Sequence, residues 1–301
     1  MGTTSRWRAV SVCAAALLGA VGVVGLAPDP AAGQVSGSAA LTTAPAAAEQ
    51  VPIVDGVRRF NVGATHSPEL LRKLVGPRSK TGLAAAAAST SLGGVDVADY
   101  QHPNGAPINW AEVASAGYTF AAIKATEGNY YVNPYYASDV AEAKAAGLHV
   151  AGYHFAIPNV SDGVTQADYA VSNSDYAVGG QMLPLELDIE YDPYSSNECY
   201  GLSQAQMVAW ITAFVDEVQR LTGKLPIIYT TADWWDTCTG SAASFGADPL
   251  WVAAYGTGSP LLPAGWSSWT FWQYTATATV PGIPGSVDAD YFDGSSLSSL
   301  G

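Results

Sequence analysis

Three carboxylates stand at every second position of one apolar run, Leu183-Pro184-Leu185-Glu186-Leu187-Asp188-Ile189-Glu190. In an extended strand, residues i and i+2 share a face. The spacing therefore predicts that Glu186, Asp188 and Glu190 project one way and Leu185, Leu187 and Ile189 the other. Asp188 and Glu190 end the run, next to Tyr191-Asp192-Pro193-Tyr194, which reads as a loop. Carboxylates crowded at a strand end repel one another and spread their pKa values apart. One can then hold a proton near neutral pH while its neighbour stays ionised, the arrangement that acid-assisted cleavage of a glycosidic bond needs. A calcium site or a solvated strand end fits the same acids, and the run alone does not choose between them.

The elements that would position these acids begin at Leu92. Val95-Asp96-Val97 reads as a short strand, 109–117 as a helix, 118–125 as a strand and 134–147 as a helix. In that second helix Ala137, Val140, Ala141 and Ala145 fall at helical spacing, and Gly147 is the stop. A strand over 148–156 and a polar helix over 163–178 precede the acidic run. The longest helix follows at 203–222, with Met207, Trp210, Ile211, Phe214, Val218 and Leu221 as its apolar stripe and Gly223 as its end. After Gly223 the helices fade, and strands at 225–229, 250–254 and 269–274 are joined by Gly, Pro and Ser. Repeated strand-helix units predict an α/β domain with a parallel sheet, open or closed. A barrel whose last third has lost most of its helices is preferred. Asp96, Asp188, Glu190 and Asp288 then recur at strand ends, and the first and last strands of a barrel are neighbours. Taken singly, Asp96 or Asp288 also fits a turn cap.

Composition narrows the class. Aromatics are 11% of residues and charged residues only 13%, which suits a globular domain with an aromatic-lined groove. The net charge of −14 is uneven: eight of the twelve Lys and Arg precede residue 91, and from Gly93 onward 22 acids face four bases. That balance argues against nucleic acid as a partner. Arg6 and Arg8 ahead of an apolar run over 9–26 read as an export signal occupying 1–32, with cleavage between 27 and 48. No membrane association is expected once it is removed. Within residues 33–91, the stretches 33–50 and 84–91 are Ala/Ser/Thr-rich, with a short helix expected between them over 68–75 behind Ser67; a linker and a removable pro-segment are both open. Beyond the signal the two cysteines, Cys199 and Cys238, read as one disulfide in an exported chain. No metal or other cofactor is expected, and a monomer is.

From Leu92 to Gly301 several motifs occur in order. They are Gly94-Val95-Asp96-Val97, Tyr100-Gln101, Lys124-Ala125-Thr126-Glu127-Gly128, Gly152-Tyr153-His154-Phe155, Leu187-Asp188-Ile189-Glu190 and Trp272-Gln273-Tyr274. Together they resemble the family 25 glycoside hydrolases, the Chalaropsis-type muramidases, and the cysteine pair resembles that of secreted actinomycete members. The resemblance implies an irregular TIM-like (β/α)5(β)3 barrel over 92–301. It implies a secreted enzyme that cleaves the β-1,4 bond between N-acetylmuramic acid and N-acetylglucosamine in bacterial peptidoglycan. It assigns Glu190 as general acid and Asp188 as nucleophile or orienter of the 2-acetamido group, with Asp96 and Asp288 as supporting acids. Retention of configuration follows on either route.

Around the acids, Tyr153, Phe155, Tyr229, Trp251, Tyr255 and Tyr274 fall near strand ends, where rings either stack on sugars or pack the core. Gln273 joins this substrate-binding set through its motif. His154, of opposite parity to its aromatic neighbours, is expected to be a hydrogen-bonded structural residue, and Lys124 and Glu127 an ion pair. Glu186 and Asp290 depart from the family pattern, Asp290 standing where members often carry Asn. Glu186 either pairs with Lys124 or raises the pKa of Asp188. A chitinase-like barrel is the alternative enzyme, although its longer acidic run is missing, and a non-catalytic sugar-binding module is the alternative without chemistry.

Overall fold

The structure, a computed structural model, describes residues 91–174 and 180–300, preceded by an antiparallel pair of two-residue strands, Ile53–Val54 and Val57–Arg58. The expected export signal (1–32) and the helix over 68–75 lie outside the described residues. So do the rest of 33–90 and the end of the helix expected to reach Val178.

Eight strands close a barrel: β1 (Leu92–Val97), β2 (Phe120–Glu127), β3 (His149–Phe155), β4 (Glu186–Asp188), β5 (Ile227–Thr230), β6 (Leu250–Ala253), β7 (Phe271–Ala278) and β8 (Val287–Phe292). Each of β1 to β6 runs parallel to the strand that follows it, and β8 lies antiparallel between β7 and β1. Five helices fill the first five crossovers: α1 (Trp110–Ser115), α2 (Tyr136–Ala145), α3 (Gly163–Asn173), α4 (Gln204–Thr222) and α5 (Ala232–Thr239). Among the described residues no α-helix joins β6 to β7 or β7 to β8. This is the irregular α/β barrel that the sequence predicts. Leu262, Trp266 and Trp269, from the loop between β6 and β7, pack where helices are missing, against Leu250, Val252 and Trp272. No helix among the described residues is long and apolar enough to cross a membrane.

Local chemistry explains the helix bounds. Ser203 caps α4 by accepting from Gln206 N–H, and the Gln206 side chain accepts from Ser203 N–H in return. Gly223 ends the helix at φ 74°, a conformation that only glycine adopts without strain. Met207, Trp210, Ile211, Phe214 and Val218 are buried as the stripe predicts, but Leu221 at the last turn is 39% exposed. In α2 the expected face is wrong. Ala137, Ala141 and Ala145 are exposed, and Tyr136, Asp139 and Ala143 face inward. Asp139 can be buried because His102 and the Trp110 indole hydrogen-bond it. The helix α5 has no clear signal in the sequence: its Asp-Trp-Trp-Asp-Thr stretch has weak helix propensity, and the Thr231 cap and burial of Trp234 and Trp235 hold it.

The acidic run is strand over a shorter span than expected. Met182 makes a lone bridge with Val150, Pro184 has no N–H to give, and only Glu186–Asp188 enter the ladder. Ile189 N–H still reaches Tyr229 O at 3.0 Å, so the extended path continues to the residue before Glu190. Leu185, Leu187 and Ile189 lie in the apolar layer, as the alternation predicts. Inside the barrel, the rings of Phe120, Trp251, Phe271 and Phe292 touch in series and plug the end away from Asp188. Gly94 is required there: a Cβ on it would stand 2.2 Å from the Phe120 ring.

Candidate active site

Three strands bring the acids together. β8 pairs with β1 so that Asp288 lies directly opposite Asp96. β4 delivers Asp188, and Glu190 follows two residues on. Three are buried, with 8% of Asp288, 7% of Asp188 and 1% of Glu190 exposed; Asp96 is half-buried, and desolvation still pushes it above the ordinary carboxylate range. Hydrogen bonds from Gln273 and from the neighbouring acids oppose that shift in Asp96.

Gln273, on β7, is the hub. Its Nε2 donates to Asp96 Oδ2 at 2.8 Å and, more weakly, to Asp288 Oδ2 at 3.4 Å. Its Oε1 accepts the Tyr229 hydroxyl at 2.9 Å and the Tyr255 hydroxyl as well. Two rings expected to line a groove are thus buried orienters of an amide, 4% and 5% exposed.

Asp188 is raised well above its ordinary range. Desolvation is the largest cause, then the charges of Glu190 and Glu186; Lys124 opposes them. Of the two readings of Glu186, the field at Asp188 supports the one in which its charge raises Asp188. Lys124 pairs with Glu127 at 2.6 Å, both buried, while Glu186 adds negative field to Asp188. Glu186 is itself raised by burial and by Asp96. The Tyr130 and Tyr194 hydroxyls also donate to Glu127. Nothing in the sequence pattern marked Tyr194 or Tyr200. Tyr200 is buried near Asp192, Glu190 and Asp188, whose charges raise its phenol after desolvation has done so.

The remaining aromatic candidates divide by strand face. Tyr153 is half-buried and lies in the field of Asp96, Asp188 and Asp288. Phe155 is 1% exposed and carries Lys124 Nζ over its ring at 4.8 Å, so it is packing. Trp251 belongs to the aromatic plug, and its Nε1 donates to Asp290 Oδ1 at 2.9 Å. Tyr274 stacks on Tyr291 at 4.2 Å, among Trp272 and Trp269 on the outer face, away from Gln273. His154 is structural, between Thr126 and Gln166. The expected disulfide joins Cys199 to Cys238. Among the described residues no group of three or more His, Cys, Asp or Glu is arranged to hold a metal ion. A cavity of about 430 Å³ opens at the other end of the barrel, by Leu92, Tyr118, His149 and Leu297, and contains none of these acids.

Comparison with known proteins places the chain in a family. Residues 95–283 match the model of glycosyl hydrolases family 25. The chain is 43% identical over 270 residues to Lysozyme M1 of Streptomyces globisporus, covering 87% of this chain and 89% of the relative. That span is longer than the barrel, so it takes in part of the region before Leu92. Identity to the N,O-diacetylmuramidase of Chalaropsis sp is 39% over 205 residues, or 65% of this chain and 95% of that one. The crystal structure of the bacterial lysozyme from Streptomyces coelicolor superposes with a TM-score of 0.67 at 44% identity, over 70% of this chain and 97% of the other. The chain is a glycoside hydrolase and belongs to family 25.

Proposed function

We propose that this chain is a secreted, monomeric N-acetylmuramidase that hydrolyses the β-1,4 bond between N-acetylmuramic acid and N-acetylglucosamine in bacterial peptidoglycan. The observation that carries the reading is the meeting of Asp188 and Glu190 with Asp96 and Asp288, the latter two both held by one glutamine. Asp188 and Glu190 interact strongly, so they titrate as a unit and do not both ionise readily. The field of Lys124 favours the ionised form of Asp188. Glu190, in the general-acid role that the motif resemblance assigns, delivers a proton to the departing sugar oxygen as the bond breaks. Negative charge on Asp188 and Asp96 then stabilises the oxocarbenium ion that develops. Asp188 either attacks the anomeric carbon or orients the 2-acetamido oxygen to do so; both routes retain configuration. Tyr153 is the ring best exposed to touch a sugar face. Burial of Glu190 keeps bulk water from it, while Asp96 and Tyr153 stay half-exposed to an incoming glycan.

Clearing of bacterial walls, followed by mass analysis of the released fragments, tests this reading. Wild type is expected to clear walls and leave muramic acid at the reducing end, and Glu190→Gln to lose roughly 10²–10⁴-fold in rate. Cleavage of chitin instead assigns a chitinase, and wall binding without clearing assigns a sugar-binding module. Export is tested by sequencing the N-terminus of the protein from culture medium, expected to start between residues 28 and 49.

A further inference from the structure

Asp290 has no place in the mechanism above, yet it is wholly buried on the inner face of β8, two residues from Asp288. Its Oδ1 accepts the Trp251 indole N–H at 2.9 Å. Its Oδ2 is equally shut off from solvent, and no N–H or hydroxyl stands against it. What that carboxyl meets is another acid. The register that pairs Asp288 with Asp96 also pairs Asp290 with Gly94, which makes Asp290 and Asp96 diagonal neighbours within hydrogen-bonding contact. Two carboxylates in contact have only acceptors to offer; a hydrogen bond between them requires that one hold a proton. Asp96 already accepts from Gln273, which favours its anion. The deeper acid is therefore the donor.

We propose that Asp290 is a positioning residue: as a neutral acid it donates its Oδ2 proton to Asp96, holding that carboxylate ionised and fixed in orientation beside Asp288. Burial raises Asp290 well above the ordinary carboxylate range, and the charges of Asp96, Asp288 and Glu186 act in the same direction. Around it, Asp96 comes from β1, Asp288 from β8, Glu186 from β4 and Tyr274 from β7, with Tyr118 before β2 and Tyr255 after β6 also within its field. Removing the proton at high pH leaves two adjacent anions and deprives Asp96 of a donor. The alkaline limb of activity then reports the Asp96–Asp290 pair as a unit.

The inference rests on the proposed muramidase site, but its first test needs no substrate. In wild-type protein the side-chain carboxyl carbon of Asp290, followed by NMR, is expected to keep the shift of a neutral acid at pH 7; an ionised shift there overturns the proposal. The second test uses Asp290→Asn, which keeps an acceptor for Trp251 and supplies an N–H donor that does not titrate. Its wall-hydrolysis rate is expected within about threefold of wild type at acid pH, with the alkaline limb of kcat about one pH unit higher or more. Asp290→Ala is expected to lose about tenfold or more in kcat at every pH with KM little changed. An alkaline limb of Asp290→Asn that superimposes on wild type overturns the proposal, because a merely structural role moves stability and not that limb. A neutral Asp290 in a protein that cleaves no wall sinks the muramidase reading and leaves the shared proton standing.

Discussion

Gln273 Nε2 donates to Asp96 Oδ2 at 2.8 Å, and that bond ties β7 to β1 across the intervening β8. The amide has no freedom to flip. Its Oε1 holds the hydroxyls of Tyr229 and Tyr255, so its N–H groups must face Asp96 and Asp288. A neutral side chain thereby supplies donors to two desolvated acids without adding a charge that would cancel theirs.

Replacing Gln273 by Glu removes both donors and adds another acid to a crowded interior. Replacing it by Met removes the donors alone. Wall-clearing rates are expected to fall about 10²-fold for Glu, as misplacement of a catalytic group does, and less for Met. Equal losses in both variants would show that charge is not what matters at this position.

Two buried histidines are expected to titrate in opposite directions. Both ring nitrogens of His102 meet acceptors, Asp139 Oδ2 and Ala106 O, each at 2.9 Å, so the ring must be the imidazolium to donate twice. Desolvation works against that charge, but the Asp139 bond and field, helped by Asp99, outweigh it and raise the pKa above 6.5. His154 instead takes the Thr126 hydroxyl on Nδ1 and gives Nε2–H to Gln166 Oε1; the Gln166 amide is fixed by donating to Ile157 O and Ser161 O. Burial lowers it to about 4. NMR titration is expected to place one ring above 6.5 and one near 4. Asp139→Asn should lower the His102 pKa, because only Ala106 O and the charge of Asp99 then oppose desolvation. The stability that His102 contributes is present below 6.5 and is lost as pH rises through its folded value.

Much of this could be read from residue order alone, because the signals were local. Alternation placed Leu185, Leu187 and Ile189 in the apolar layer, and Ser203 and Gly223 bounded α4, since parity and caps depend on near neighbours. The misreadings concern long-range partners. Ala carries little weight as a core marker, so α2 was turned to the wrong face; its true buried face includes an aspartate that only His102 and Trp110, far off in sequence, make tolerable. An aromatic near a strand end looks the same whether it points in or out. Tyr274 follows the hub Gln273 by one residue and so faces the other way. Gln273 itself was legible only as part of a motif, because its four partners lie 15 to 177 residues away.

Asp248, just ahead of β6, should make the protein less stable as pH rises. It is 6% exposed, its Oδ1 is buried without a hydrogen-bond partner, and desolvation pushes it up to about 7, with Asp216 adding to the shift. The folded state therefore binds a proton that the unfolded chain has released above its ordinary value of 3.8. Stability from this group is complete below 3.8 and is lost as pH rises through about 7. Asp248→Asn, isosteric and uncharged, is expected to flatten the decline of melting temperature between pH 4 and 8, measured by calorimetry at constant salt. A variant whose melting temperature falls as steeply as wild type would place the proton elsewhere; the raised Glu186, Asp188 and Asp290 contribute in the same direction and remain in both proteins.

The Cys199–Cys238 bridge fastens the loop after β4 to α5, and the residue beside it, Tyr200, is held at φ 57°, in the left-handed region that a non-glycine residue enters at a cost. The loop is also tied by Trp234 Nε1–H to Glu198 O at 3.0 Å. These restraints keep the Tyr200 ring buried near Glu190 and Asp188. The cysteines are 39 positions apart, and opening a loop of that size costs about 4 kcal/mol in the chain-entropy treatment. Replacing both cysteines by Ala should therefore lower the denaturation midpoint and steepen its slope, because the unfolded chain freed of the cross-link exposes more surface. If the bridge also sets the position of Tyr200, the wall-clearing rate falls at temperatures where the variant is still fully folded, because the backbone can relax out of the left-handed conformation and withdraw the ring from the acids. Full activity in the folded variant would confine the bridge to stability and assign the placement of Tyr200 to the Trp234 bond, which Trp234→Phe then tests directly.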